Sequence, residues 1–186
     1  MKMMSEKKCC KNALITFGEM DMCLEHLFQE HESLLSKRGI KCELTEEWLV
    51  FYIPTVIRNS RGVDFHFEDS RLFLKGNGDF FIQGDPAHPH VFDARGEIYL
   101  EMHLYLRIKS FLEAGDLLGF YAQALDVVSS YNPKNSYRHL WDEEYFFECD
   151  ACGKTFSKSL LAVCDKCNTI VCKYCITKRG CKACTV

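Results

Sequence analysis

Long apolar runs are missing from this chain. No stretch approaches the roughly 18 uninterrupted apolar residues of a membrane span. The opening "MKMMSEKKCCKNALITF" carries charge with no apolar run behind it. Neither a spanning segment nor a cleaved export signal is expected. A strong charge imbalance is missing too. The 23 Lys and Arg against 26 Asp and Glu leave a net charge of −3, so neither nucleic acid nor an anionic membrane is indicated as the main partner. Proline is scarce, at 4 in 186 residues, and there is no low-complexity segment. With 47% hydrophobic residues a core can form, and wholesale disorder is excluded. The length suits one ordinary domain plus a small appendage. The expected setting is the cytoplasm, with the nucleus reached by diffusion.

Cysteine, by contrast, is abundant. Cys9, Cys10, Cys23 and Cys42 are scattered, whereas eight lie in four CxxC pairs: Cys149 and Cys152, Cys164 and Cys167, Cys172 and Cys175, Cys181 and Cys184. In a reducing compartment this spacing reads as metal ligation, not as disulfides. Each tight CxxC turn brings two sulfurs toward one tetrahedral zinc, and two pairs close a site. Eight cysteines therefore predict two Zn2+ ions. Both sites would be structural, because a closed four-sulfur site leaves no position for a reacting water. So short a segment has little apolar core, and the metal supplies the missing folding free energy. The pairs can share metal in an interleaved or a sequential order, and the interleaved order is favoured. Seven Lys and Arg in the last 38 residues offset the thiolate charge and do not by themselves indicate nucleic acid.

"CDACGKTFS" followed by "CDKCNTIVCKYC", with Phe156 after the first pair and Trp141 upstream, resembles the cross-brace zinc fingers of the RING and FYVE type. The FYVE phosphoinositide site uses a basic, histidine-rich run before the third cysteine. "SLLAV" stands there, so lipid headgroup binding is not expected. A RING ligase needs a longer third interval than "ITKRG".

The rest of the chain reads as mixed α+β. Phe17, Met20, Leu24, Leu27, Phe28, His31, Leu34 and Leu35 recur at three- and four-residue steps, predicting a helix that stops at Gly39. Trp48 to Ile57, interrupted by Pro54, then Val63 to Phe67, then two runs around Asn77-Gly78 predict a meander of about four antiparallel strands. Gly84 to Gly96 reads as a structured loop. Met102 to Gly115 fits either a strand or a helix, and Asp116 to Tyr131 predicts a helix capped by Asp116.

The loop sequence "HPHVFDARGEIYLE" resembles the "HPN…G.ICL" stretch of the ubiquitin-conjugating family, and more closely its bacterial and viral HPH-type relatives. "DLLGFYAQALDVVSSYNPKNSYRHLW" resembles the family's following helix and "NP..PYR" segment. The resemblance covers about residues 15–140. It implies a fold of helix, four-stranded antiparallel meander and C-terminal helices. His88, Pro89 and His90 match the motif before the catalytic residue, and Gly96, Glu97 and Ile98 match its approach. The thioester-forming cysteine would follow, and Tyr99 stands there. A phenol of pKa about 10 is a poor nucleophile at pH 7, so conjugating chemistry is expected to be absent.

Three parts follow: a flexible 1–14, a ubiquitin-conjugating-like domain over 15–140, and a small two-zinc treble-clef or cross-brace module over 141–186. The expected function is that of a pseudoenzyme, a scaffold that binds protein: a ubiquitin-like modifier or a conjugating enzyme. Phe92 and Tyr99 would help define a groove; Asp93, Arg95 and Glu97 read as a solvated loop. The alternatives are a ligase-like partner that stimulates transfer from an active conjugating enzyme, and a purely structural, zinc-stabilised interaction protein.

Overall fold

The computed structural model describes residues 15–59, 61–85, 87–91, 95–130, 146–177 and 180–184. Cys9, Cys10, Phe92, Asp93, Trp141, the "YNP" segment and the boundary drawn at 140–141 lie outside the described residues.

The first apolar stretch does not begin as a helix. Ile15–Phe17 (β1) and Met20–Met22 (β2) pair as an antiparallel hairpin. Gly18 makes the turn at a φ of 63°, and its N–H donates to the carbonyl of Leu112 at 3.3 Å. The helix α1 runs over Leu24–Lys37 and buries Leu24, Leu27 and Leu35. Cys23 is its extended N-cap and is buried. Gly39 lies just beyond the helix at a φ of 71°.

Strands β3 (Cys42–Leu44) and β4 (Trp48–Tyr52) follow. The chain then departs from a simple meander. Pro54 has no N–H for a ladder, and past it β5 (Thr55–Arg58) and β6 (Asp64–Phe67) form a hairpin in another sheet. Asn59 builds their turn, its side chain accepting from the N–H groups of Arg61 and Val63. Strands β7 (Arg71–Lys75) and β8 (Phe80–Gln83) return to the first sheet. That sheet is four-stranded and antiparallel, in the order β3-β4-β7-β8.

Alternation along its strands sends Leu49, Phe51, Leu72, Leu74, Phe80 and Ile82 to one face, where they meet the apolar sides of the helices in one core. On the opposite face Trp48, Phe73 and Phe81 form a half-buried aromatic cluster. Phe73 stacks on Phe81 at 4.6 Å, and Trp48 meets Phe81 edge-on at 5.2 Å.

The ambiguous segment after the loop is helical: α2 spans Met102–Glu113. Alternation would have put Met102 and Ile108 on one face, yet Met102 is 71% exposed and Ile108 is buried with Leu112. Helix α3 (Leu117–Ser129) begins as expected, with the Asp116 carboxylate accepting from the N–H of Gly119 at 2.7 Å. Among the described residues no helix is long and apolar enough to cross a membrane.

The cysteine-rich part is joined to this body by a sheet. Strands β9 (Phe146–Glu148) and β10 (Thr155–Ser157) pair with each other, and β10 runs parallel to β6, giving the order β5-β6-β10-β9. Phe146 packs on Phe65 and Phe67. Beyond, β11 (Leu161–Val163) pairs with β12 (Ile170–Cys172), and β13 (Ile176–Thr177) with β14 (Gly180–Cys181). The strand "VDFHF", expected in the meander, is thus the seam between the two parts. Side chains cross the same seam: Lys173 and Tyr174 both bond the Asp69 carboxylate, and Lys154 approaches Glu68 at 3.4 Å.

Candidate metal centres and the HPH loop

The hairpins gather the eight cysteines into two groups. Cys149, Cys152, Cys172 and Cys175 form one; Cys164, Cys167, Cys181 and Cys184 form the other. This is the interleaved order. Within each group all sulfurs lie within 4.8 Å of one another. Tight turns aim each pair. The N–H of Cys152 donates to the Cys149 carbonyl, that of Cys175 to Cys172, and that of Cys184 to Cys181. At the second pair Asn168 takes a φ of 59° and its N–H reaches the Cys164 carbonyl at 2.8 Å. Asparagine tolerates that left-handed conformation better than most residues.

The geometry can be tested against a tetrahedral ion. Metal–sulfur bonds of about 2.3 Å give a sulfur–sulfur edge of about 3.8 Å. The separations are 4.0 Å for Cys152–Cys172, 3.8 Å for Cys164–Cys184, 3.4 Å for Cys167–Cys181 and 3.6 Å for Cys181–Cys184. All are far longer than a disulfide bond of about 2.05 Å. Both groups fit a metal ion held by four sulfurs.

Electrostatics points the same way. Burial pushes the Cys149 thiol up, but the N–H groups of Cys172, Ala151 and Cys152 outweigh it and bring it down to about 7. The N–H groups of Cys167 and Lys166 bring Cys164 down to about 6. Burial and the adjacent Cys172 sulfur push Cys175 up to about 12, and burial with the adjacent Cys181 sulfur pushes Cys184 up to about 11. Crowded sulfurs of this kind oppose one another's ionisation, and a cation among them would offset that repulsion. The buried cluster around them comprises five cysteines with only Phe156, Leu160 and Val171. With so little apolar surface, a metal ion in each group would supply much of the folding free energy of this part.

Among the described residues of the loop after β8, backbone groups hold both histidines. His88 is 0% exposed. Its Nδ1 accepts from the N–H of His90 at 3.2 Å, which leaves Nε2 as the protonated nitrogen, donating to the Val128 carbonyl at 3.1 Å. Burial, helped by nearby His90, brings its pKa down to about 3 against the pull of the Val128 carbonyl. The ring is therefore neutral throughout the physiological range. His90 Nε2 bonds the Ser130 carbonyl, so both histidines tie the turn to the end of α3. Each ring acts as a structural strut through these backbone bonds.

Tyr99 follows on a short bridge. Its N–H donates to the His90 carbonyl at 3.1 Å, and its side chain is 50% exposed. Val91 and Ile98 pair across the loop. Gly96 allows the approach: it takes a φ of 80°, its carbonyl accepts from the N–H of Gly84 at 2.8 Å, and an added Cβ would sit 2.5 Å from the Gly84 carbonyl oxygen. Arg95 lends its carbonyl to the side chain of Gln83.

Three residues that carry no sequence signal complete the site. The buried Asp85 carboxylate accepts from Ser157 and Ser159, each at 2.8 Å, and from the N–H of Ala87 at 2.8 Å. Nothing in "GDPAHP" or "FSKSLL" marks these as partners, since more than 70 residues of chain separate them.

Comparison of the chain with family models, with curated proteins and with solved structures finds no match.

Proposed function

We propose that this chain is a non-catalytic, ubiquitin-conjugating-like protein that acts by binding other proteins, with two structural zinc ions holding its C-terminal part in a cross-brace. The observation that carries the reading is Tyr99. It stands half exposed at the end of a fully bonded His88–Pro89–His90 turn, where the resemblance would have a thiol. The resemblance rests on the loop sequence; six strands lie between α1 and the loop, four in one antiparallel sheet and β5 and β6 in another, and two helices follow. Four-sulfur tetrahedral groups support zinc over harder cations. Unbridged thiols in metal-like groups suit a reducing compartment such as the cytoplasm or nucleus.

A scaffold needs contact surface. The Trp48–Phe73–Phe81 cluster, flanked by Arg71 over Tyr52 and Lys75 over Trp48, offers aromatic and cationic groups of the kind enriched at interfaces. A ligase-like role is the second reading. It is favoured by the exposed cross-strand pair Val163 and Ile170 and by exposed Ile176 on the cysteine-rich part.

The test combines two assays. The chain is incubated with a ubiquitin-activating enzyme, ATP and modifier, then run on a non-reducing gel. No thiol-sensitive adduct is expected. A pull-down with ubiquitin and related modifiers should capture the chain, and Trp48→Ala with Phe81→Ala should weaken capture at least tenfold. A thioester on the wild-type chain overturns the non-catalytic reading. Accelerated discharge of a loaded conjugating enzyme supports the second reading instead.

A further inference from the structure

We propose that Asp85 couples the metal-held part of the chain to the HPH turn, so that loss of metal from the first cysteine group releases the turn. The proposal rests on the metal reading for its trigger, but the coupling itself stands on bonds within the chain.

The path is continuous. At one end, Ser157 closes β10 and is 1% exposed. Its neighbour Phe156 is buried in the cluster with Cys149 and Cys172, and the N–H of Cys172 donates to the Cys149 sulfur at 3.1 Å. Ser159 sits one turn on, and the following Leu160 takes the N–H of Lys173, beside Cys172, on its carbonyl. The position of both serines is therefore set by the fold around the first group. Both hydroxyls donate to the same oxygen, Oδ2 of Asp85.

At the other end, the second oxygen of Asp85 accepts from Ala87, and its carbonyl accepts from the N–H of His88 at 2.8 Å. From His88 the bonds run to His90, to Val128 and, through the His90 carbonyl, to Tyr99. Asp85 is 5% exposed. A carboxylate this buried needs donors around it, and two of its three side-chain bonds come from the metal-held part. If that part loosens, the carboxylate loses those donors and must find water, and the turn that Asp85 anchors must open to let it in. The two ionic contacts elsewhere on the seam, at Asp69 and Glu68, lie on the β6–β7 connection and do not touch the turn.

The experiment uses the full chain and follows the His88 and His90 ring resonances by NMR while metal is counted separately. Removing metal with a chelator should move both rings, as should a Cys152→Ser variant. Asp85→Asn, and separately Ser157→Ala with Ser159→Ala, should move the same resonances while metal content is unchanged. Rings that stay put in Asp85→Asn and in the serine variant overturn the coupling. Rings that stay put on metal removal, while the backbone amides of residues 149–175 collapse, overturn it as well. A chain that binds no metal at all defeats the metal reading alone, because the Asp85 and serine variants still report on the bonds.

Discussion

Acid should weaken this protein through one histidine, by an amount that can be stated in advance. His88 has a folded pKa of about 3, whereas an unstrained histidine titrates near 6.5. Below pH 6.5 the unfolded chain takes up a proton that the folded chain refuses. The stability tied to the neutral ring is therefore intact above about pH 7.5 and is lost as pH falls through 6.5 toward 3. The gap of about 3.5 units corresponds to ~5 kcal/mol over the whole window, and by pH 5 about 2 kcal/mol is gone. Thiolate protonation and metal release act in the same range, so the control is His88→Gln. That variant loses bonds to Val128 and His90 at a cost of about 1–3 kcal/mol, with no titration of its own. Urea unfolding of both proteins at pH 7.5, 6 and 5 gives the difference curve. The gap between them should close by about 2 kcal/mol from pH 7 to pH 5. Parallel curves would refute the assignment of a buried, neutral His88.

Four further outcomes follow from the same geometry. Cys152→Ser and Cys184→Ser should each halve the metal content, but Cys152→Ser should lower the melting temperature of the body more, since its group abuts the shared β6–β10 seam; equal shifts would contradict that, as read by calorimetry. Gly96→Ala should cost about 1–3 kcal/mol in denaturant unfolding, because a Cβ at a φ of 80° would press on the Gly84 carbonyl. Phe51→Ala should cost about 3–5 kcal/mol, for it is fully buried between the sheet and α3. Tyr99→Ala should change stability by less than about 1 kcal/mol, as a half-exposed side chain at the loop end, and a larger loss would mean that Tyr99 is a packing residue.

Local signals were the readable ones. The Asn77-Gly78 hairpin with the strands on either side of it and the Asp116 cap are each decided within a few residues, and each is where its sequence places it. The CxxC spacing is also local, which is why the eight cysteines could be named in advance; which pairs share a group depends on how the hairpins pack, and the spacing left two orders open. What stayed hidden depends on distant partners. The periodicity of Phe17 to Met22 suits a helix, but the Gly18 turn packs against α2 and turns it into a hairpin. Alternation in Val63 to Phe67 correctly marks a strand, yet nothing in it says that its neighbour is β10, some 90 residues on, instead of β4. The Asp85–Ser157–Ser159 cluster is of the same kind: three ordinary polar residues that matter only once the seam has formed.

Metal content measures most directly whether the two cysteine groups hold structural metal. Elemental analysis of the purified full chain, paired with a colorimetric count of free thiols before and after chelator is added without denaturant, should give two zinc ions per chain and eight of the twelve thiols reactive only once the metal is withdrawn. Iron with acid-labile sulfide, or eight thiols freely reactive in the folded, metal-free protein, would contradict it.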